Sequence, residues 1–172
     1  DTRRFFEEID SDSVKMVLDP GNFYVEKEPI TPEAFEYFYD KDPRVLTQHE
    51  LEEDLAKGEF EAKNVAMIQC IGARTRERPN CSRICCGQAI KNALKIKEVS
   101  PETEVYVLFK DIRSYGFKED YYRDAAMKGV LFVNYDDDRK PLVTNSGGKL
   151  KVAFWEPVIK EEVEIEPDVL VL

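Results

Sequence analysis

No apolar run in the sequence approaches the roughly 20 residues that a membrane helix needs, and no signal-peptide pattern opens it. Positive charge is in deficit. The 35 acidic residues outnumber the 25 basic ones, and the formal charge of −10 argues against duplex nucleic acid or an anionic membrane as the main partner. Histidine is almost missing: the single His49 lies inside a helix-start pattern and reads as a solvated residue rather than a ligand. Internal repeats and low-complexity stretches are absent, and a hydrophobic content of 42% is enough for a packed core, so global disorder is excluded. These absences leave a globular chain of 172 residues, long enough for one domain with some length to spare.

Cysteine is also scarce, but it is concentrated. All four cysteines, Cys70, Cys81, Cys85 and Cys86, fall in one short stretch. Two disulfides would need a secreted chain, and adjacent Cys85 and Cys86 would each need a different partner, so a cytoplasmic, reducing setting is the better expectation. The chain stops at Leu172 inside the apolar run Val169-Leu170-Val171-Leu172, which reads as a piece of a longer protein.

Residues 1–44 form an N-terminal segment of uncertain fold. Asp19-Pro20-Gly21-Asn22 is a turn signal, Phe23 to Glu28 alternates like a short strand, and Thr31-Pro32-Glu33 looks like a helix start. The aromatics Phe35, Tyr37, Phe38 and Tyr39 read as packing rather than a cofactor wall. From Val45 the pattern sharpens. Thr47-Gln48-His49-Glu50 is a capping box, opening a helix that should stop at Gly58. Asn64 to Gln69 suits a buried parallel strand, Cys81 to Val99 a helix with Ile84, Ala89, Ile90, Ala93, Leu94 and Ile96 on its apolar face, and Glu104 to Phe109 a second strand. A helix over 118–128 and a strand over 130–133 follow. Past Pro141 the pattern becomes a hairpin about Asn145-Ser146-Gly147-Gly148 and a meander through Val163 and Ile165, before Val169 to Leu172 returns to the sheet. The expected class is α/β: a Rossmann-like parallel sheet with covering helices and an antiparallel meander, occupying residues 45–172 as one domain.

On that layout Cys70 sits at the carboxyl end of the first buried strand and Cys81 at the amino end of the following helix, with Cys85 one turn further along the same face and Cys86 beside it. In an open parallel sheet these ends face one crevice, where such folds bind cofactors. A helix amino terminus favours thiolate, the form that ligates metal. The spacing C-x10-C-x3-C-C does not repeat the two separated C-x2-4-C knuckles common at zinc sites, and adjacent ligands suit a larger multi-iron cluster. An iron–sulfur cluster is the preferred reading; zinc, redox-active thiols and unligated core cysteines stay open. Arg74, Arg76, Arg78 and Arg83 surround the set and either offset a cluster's negative charge or simply solubilise the loop.

Several segments together resemble the A subunit of heterodisulfide reductase. They are Asn64-Val65-Ala66-Met67-Ile68-Gln69-Cys70-Ile71-Gly72-Ala73-Arg74, Glu77-Arg78-Pro79-Asn80-Cys81-Ser82-Arg83-Ile84-Cys85-Cys86, Val107 to Phe117 and Tyr121-Tyr122. The resemblance covers roughly residues 43–172. It implies a thioredoxin-reductase-like iron–sulfur flavoprotein, of which this stretch is mainly the nicotinamide-type domain. Where ordinary relatives carry G-x-G-x-x-G, the chain reads Gln69-Cys70-Ile71-Gly72-Ala73-Arg74, with one glycine left. The resemblance thus implies that Cys70, Cys81, Cys85 and Cys86 ligate a 4Fe–4S cluster where a dinucleotide would otherwise sit. FAD is implied for the full-length protein, whose flavin domain and fellow subunits would be the partners; no complete FAD motif occurs here, and the stretch alone is not expected to be catalytic.

Two other functions compete with electron transfer. A nicotinamide-binding domain would use Lys110, Asp111 and Arg113, which follow the second strand where ribose contacts lie. A zinc-stapled interaction domain would leave Tyr115, Phe117, Tyr121 and Tyr122 as a docking surface, although packing explains them as well.

Overall fold

Val65, Ala66, Met67 and Ile68 form an unbroken apolar run, and such a strand is stable only inside a sheet covered on both faces. That is where it lies in the computed structural model, which describes residues 42–76, 79–146 and 148–172. The chain order is β1 (Val45–Leu46), α1 (Gln48–Lys57), β2 (Asn64–Ile68), α2 (Cys85–Val99), β3 (Glu104–Phe109), α3 (Lys118–Met127), β4 (Val130–Asn134), β5 (Leu142–Ser146), β6 (Lys149–Glu156), β7 (Glu161–Ile165) and β8 (Val169–Val171). Strands β1-β8-β2-β3-β4 make a five-stranded parallel sheet, and β5-β6-β7 an antiparallel meander, the α/β architecture expected. The turn, strand, helix start and aromatic run expected before residue 42, together with Arg78 and the Gly147 position of the hairpin turn, lie outside the described residues.

Alternation along β2 divides two cores. Ala66 and Ile68 pack with Leu108, Val143, Leu150, Val152 and Phe154, so the meander covers one face of the sheet. Val65 and Met67 pack with Leu51 and Leu55 of α1, Ala89, Ile90, Ala93 and Ile96 of α2, and Ala125 of α3, so the helices cover the other. Each helix turns its small or aliphatic stripe inward.

Helix α1 begins and ends as its sequence dictates. Thr47 Oγ1 accepts from the Glu50 amide at 3.2 Å, and the Glu50 carboxylate accepts from the Thr47 amide at 2.6 Å, which satisfies two otherwise orphaned donors. Gly58 closes the helix at φ 74°, a backbone state that costs a residue with a Cβ free energy. Asn92 of α2 donates to the carbonyl and side-chain oxygens of Gln48 at 2.8 and 2.9 Å, locking α2 to α1 inside the core.

Helix α2 corrects the expected start. It begins at Cys85 rather than Cys81, because Arg83 takes a left-handed backbone (φ 63°) that a helix cannot continue through. Ile84, expected on the buried face, precedes the first turn and is 63% exposed.

Candidate metal centre

The β2–β3 ladder runs in register from Asn64↔Glu104 to Ile68↔Leu108, so both strands end level and their following loops leave the sheet side by side. The Gln69 amide still donates to the Leu108 carbonyl at 2.8 Å, and one residue later the chain turns away. Cys70 has φ 63°, Gly72 61° and Arg74 58°. Such left-handed states at residues with a Cβ cost of order 1–3 kcal/mol each and persist only where surrounding contacts over-determine them.

Those contacts come from the loop after β3. The backbone of Lys110 and Asp111 favours the Cys70 thiolate and that of Arg113 the Cys86 thiolate, while the Cys86 thiol donates to the Asp111 carbonyl at 3.7 Å. Lys110 Nζ reaches back to the carbonyls of Ala73 at 3.2 Å and Arg74 at 3.5 Å and pairs with Asp137 at 2.6 Å. Asp111 accepts from Arg74 at 2.8 Å and lies 3.0 Å from Arg113 Nε. Tyr135 donates its hydroxyl to the Gln69 carbonyl at 2.5 Å from below. Lys110, Asp111 and Arg113, the residues a competing nicotinamide domain would use, are all engaged with the protein itself.

All four cysteines are free thiols, with Cys70 and Cys86 buried and Cys81 and Cys85 half-buried. Cys85 and Cys86 occupy the first two positions of α2, where helix amides point outward. Cys81 lies in the loop and does not share a helix face with Cys85, as a later helix start requires. The sulfurs nevertheless sense one another: Cys70 feels Cys86 and Cys81, and Cys85 feels Cys86, Cys70 and Cys81. Cys85 and Cys86 share a hydrogen bond, which draws Cys86 down to about 6, helped by the Arg113 backbone and opposed by burial; Cys85, which holds that bond's proton, moves up. Burial pushes the Cys70 thiol up, against the backbone of Lys110 and Asp111. Among the described residues no three Cys, His, Asp or Glu side chains stand close enough together to grip a single metal ion.

Whether these residues suit an iron–sulfur group can be judged from their surroundings. The donor set is all thiol, the ligand type iron–sulfur clusters take. Gln69, only 3% exposed and next to Cys70, buries its side-chain Nε2 without a hydrogen-bond partner, a donor still lacking an acceptor. The chemistry of the donor set fits such a group.

Elsewhere the expectations divide. His49 is exposed and 3.4 Å from Glu53 across one helical turn, a solvated residue as expected. Arg76 and Arg83 are exposed, whereas Arg74 is half-buried and ion-paired. Tyr122 packs edge-on against Phe132 at 4.5 Å, but Tyr115, Phe117 and Tyr121 face solvent. The side-chain roles of Lys110, Gln69 and Asp137 around the cysteines were not foreseen; an in-register strand end is the one sequence signal that could have paired Lys110 with Cys70. Among the described residues no helix is long and apolar enough to cross a membrane.

No protein-family model matches the chain. Curated proteins do. The A subunit of the ferredoxin:CoB-CoM heterodisulfide reductase of Methanosarcina acetivorans is 36% identical over 123 residues, 69% of this chain and 15% of that protein. The iron-sulfur A subunit of the CoB–CoM heterodisulfide reductase of Methanocaldococcus jannaschii is 40% identical over 119 residues, 63% of this chain and 17% of that protein. The A subunit of the H(2):CoB-CoM heterodisulfide,ferredoxin reductase of Methanothermobacter marburgensis is 32% identical over 156 residues, 81% of this chain and 23% of that protein. The chain therefore spans less than a quarter of the length of each of these relatives.

Proposed function

With the chain a homologue of one segment of the heterodisulfide reductase A subunit, an oxidoreductase component, we propose that it is the iron–sulfur electron-transfer domain of such an enzyme. In this reading residues 45–172 are one domain carrying a single 4Fe–4S cluster, held by Cys70, Cys81, Cys85 and Cys86. The cluster supplies one-electron chemistry between a flavin and other clusters. The flavin, FAD, and its domain belong to the rest of the full-length protein, and the other subunits of a cytoplasmic complex are the partners. The chain's own residues tune the site and exclude water; they make or break no substrate bond.

The observation that carries this reading is four free thiols in the loop after β2 and the start of α2, beside a buried Gln69 Nε2 that lacks an acceptor. Adjacent Cys85 and Cys86 suit a multi-iron cluster, which holds its sulfurs farther apart, better than tetrahedral zinc with bonds of about 2.3 Å. A nicotinamide is disfavoured by the loss of the glycine pattern and by the engagement of Lys110 and Asp111 with protein groups.

Anaerobic reconstitution followed by iron and acid-labile sulfide analysis tests the proposal, with Cys85→Ser alongside. About four of each per wild-type chain, falling sharply in the variant, is expected. Negligible iron with stoichiometric zinc would make the domain a zinc-stapled module instead.

A further inference from the structure

We propose that Lys110 is a positioning residue of the cysteine site, whose ammonium holds the Cys70 turn against the loop that follows β3. Lys110 is the first residue past β3, and its side chain is only 7% exposed. A buried ammonium is costly unless its protons all find acceptors. Here the acceptors are three: Asp137 at 2.6 Å, the Ala73 carbonyl at 3.2 Å and the Arg74 carbonyl at 3.5 Å. Two of them belong to the turn in which Cys70, Gly72 and Arg74 all hold left-handed backbone, and the third to the segment after β4. Three chain segments thus meet on one charge.

The same residue bears on Cys70 twice: its ammonium fixes the carbonyls three and four residues further along that turn, and its backbone favours the Cys70 thiolate. The turn has only weak closure of its own: the Ala73 amide reaches the Cys70 carbonyl at 3.3 Å, and the Arg74 amide reaches the Asn80 carbonyl at 3.3 Å. Without the ammonium, nothing charged among the described residues ties residues 73 and 74 through their backbone, although Arg74 keeps its side-chain pair with Asp111. Lys110 therefore sets both where the Cys70 sulfur lies and how much positive charge it sees. The geometric claim stands on the thiol form alone; only its redox consequence rests on the proposed cluster.

Lys110→Met keeps the length of the side chain and removes the charge. In metal-free protein, alkylation by iodoacetamide, mapped residue by residue, should speed up about tenfold at Cys70 and stay unchanged at Cys81, because only the former turn is released. An unchanged Cys70 rate overturns the proposal, whatever the iron content. Should Lys110→Met fail to fold, Asp137→Asn provides the second arm: it must raise the Cys70 rate in the same direction by a smaller factor, and equal rates again overturn the proposal. In reconstituted protein Lys110→Met should lower the cluster's midpoint potential, since it removes a cation and leaves Asp137 uncompensated, and Lys110→Arg should restore most of that shift. A residue that merely supported the fold would leave the potential where it was. Iron absent from wild type would defeat the cluster reading while the alkylation rates still decide the role of Lys110.

Discussion

Strands β2 and β3 and the loops that follow them are built on opposite terms. Within β2 every residue from Val65 to Ile68 is buried, its ladder with β3 is in register, and those side chains carry no ionisable group. Beyond Ile68 and Phe109 the chain takes left-handed backbone at Cys70, Gly72 and Arg74, and its stability passes to polar ties: Lys110 to two carbonyls, Asp111 to two arginines, Tyr135 to Gln69. The two loops also differ from each other. The first brings sulfur and, in Gln69, a buried donor without an acceptor; the second brings the charges of Lys110 and Asp111 that tie the first in place. The difference teaches that stability resides in the strands and chemistry in the loops, so the two should respond to mutation separately.

The largest expected effect lies in the loops. Cys70→Ser should abolish most iron binding after reconstitution, because serine is a poor ligand for a soft metal cluster. The unfolding free energy of the metal-free chain should fall by only about 1 kcal/mol or less, since Cys70 lies outside both hydrophobic clusters and the change is nearly isosteric. Urea titration beside iron analysis checks both halves. A variant that lost iron only because it had unfolded would break the separation.

Met67→Ala probes the other side of the comparison. Met67 is fully buried between the sheet and helices α1 and α2, three residues before Cys70. The cavity should cost about 2–5 kcal/mol of stability by urea titration. Iron per folded chain should remain that of wild type.

How legible each region was follows from the same division. The strands and α1 could be read because their signals are local: an apolar run, a capping box and Gly58 each act through their own neighbours. The place of Cys70 just past β2 and of Cys85 and Cys86 on α2 was also readable from the strand and helix patterns. The start of α2 was not. Ser82 and Ile84 continue a plausible helical pattern, and only the left-handed backbone of Arg83 interrupts it, a state an arginine does not announce in sequence. The role of Lys110 was hidden for a different reason. Its partners Ala73, Arg74 and Asp137 are distant along the chain and meet it only because β2, β3 and β4 end together.

At the opposite edge of the sheet a polar tie carries no cofactor chemistry. Asp42, before β1, is 8% exposed and accepts from Arg44 Nη2 at 2.6 Å and Nε at 2.8 Å, while Arg44 Nη1 reaches the Gly148 carbonyl at 3.0 Å. The Arg44 hydrogen bonds hold the Asp42 carboxyl below its ordinary 3.8, with burial opposing. A carboxyl depressed on folding stabilises the protein above its unfolded value, and that contribution fades as pH falls through the lower, folded value. Asp42→Asn should therefore cost about 1 kcal/mol near neutral pH, Arg44 being partly in solvent, and progressively less below pH 3.8. Denaturation curves at neutral and acid pH check the sign, and an acid-independent difference would refute it.

The smallest effect decides between the two descriptions of the chain around the cysteines. If α2 began at Cys81, Ile84 would lie on its buried stripe, and Ile84→Ala would cost the roughly 2–5 kcal/mol of a core truncation. With the helix starting at Cys85, Ile84 is 63% exposed ahead of the first turn, and its amide reaches Ser82 Oγ at 3.4 Å through the backbone, which alanine preserves. The substitution should then change stability by no more than about 0.5 kcal/mol. Urea titration resolves the two, because the predicted costs differ severalfold. The small value would mean that residues 81–84 belong to the loop, leaving Cys81 placed by loop backbone rather than by helix packing.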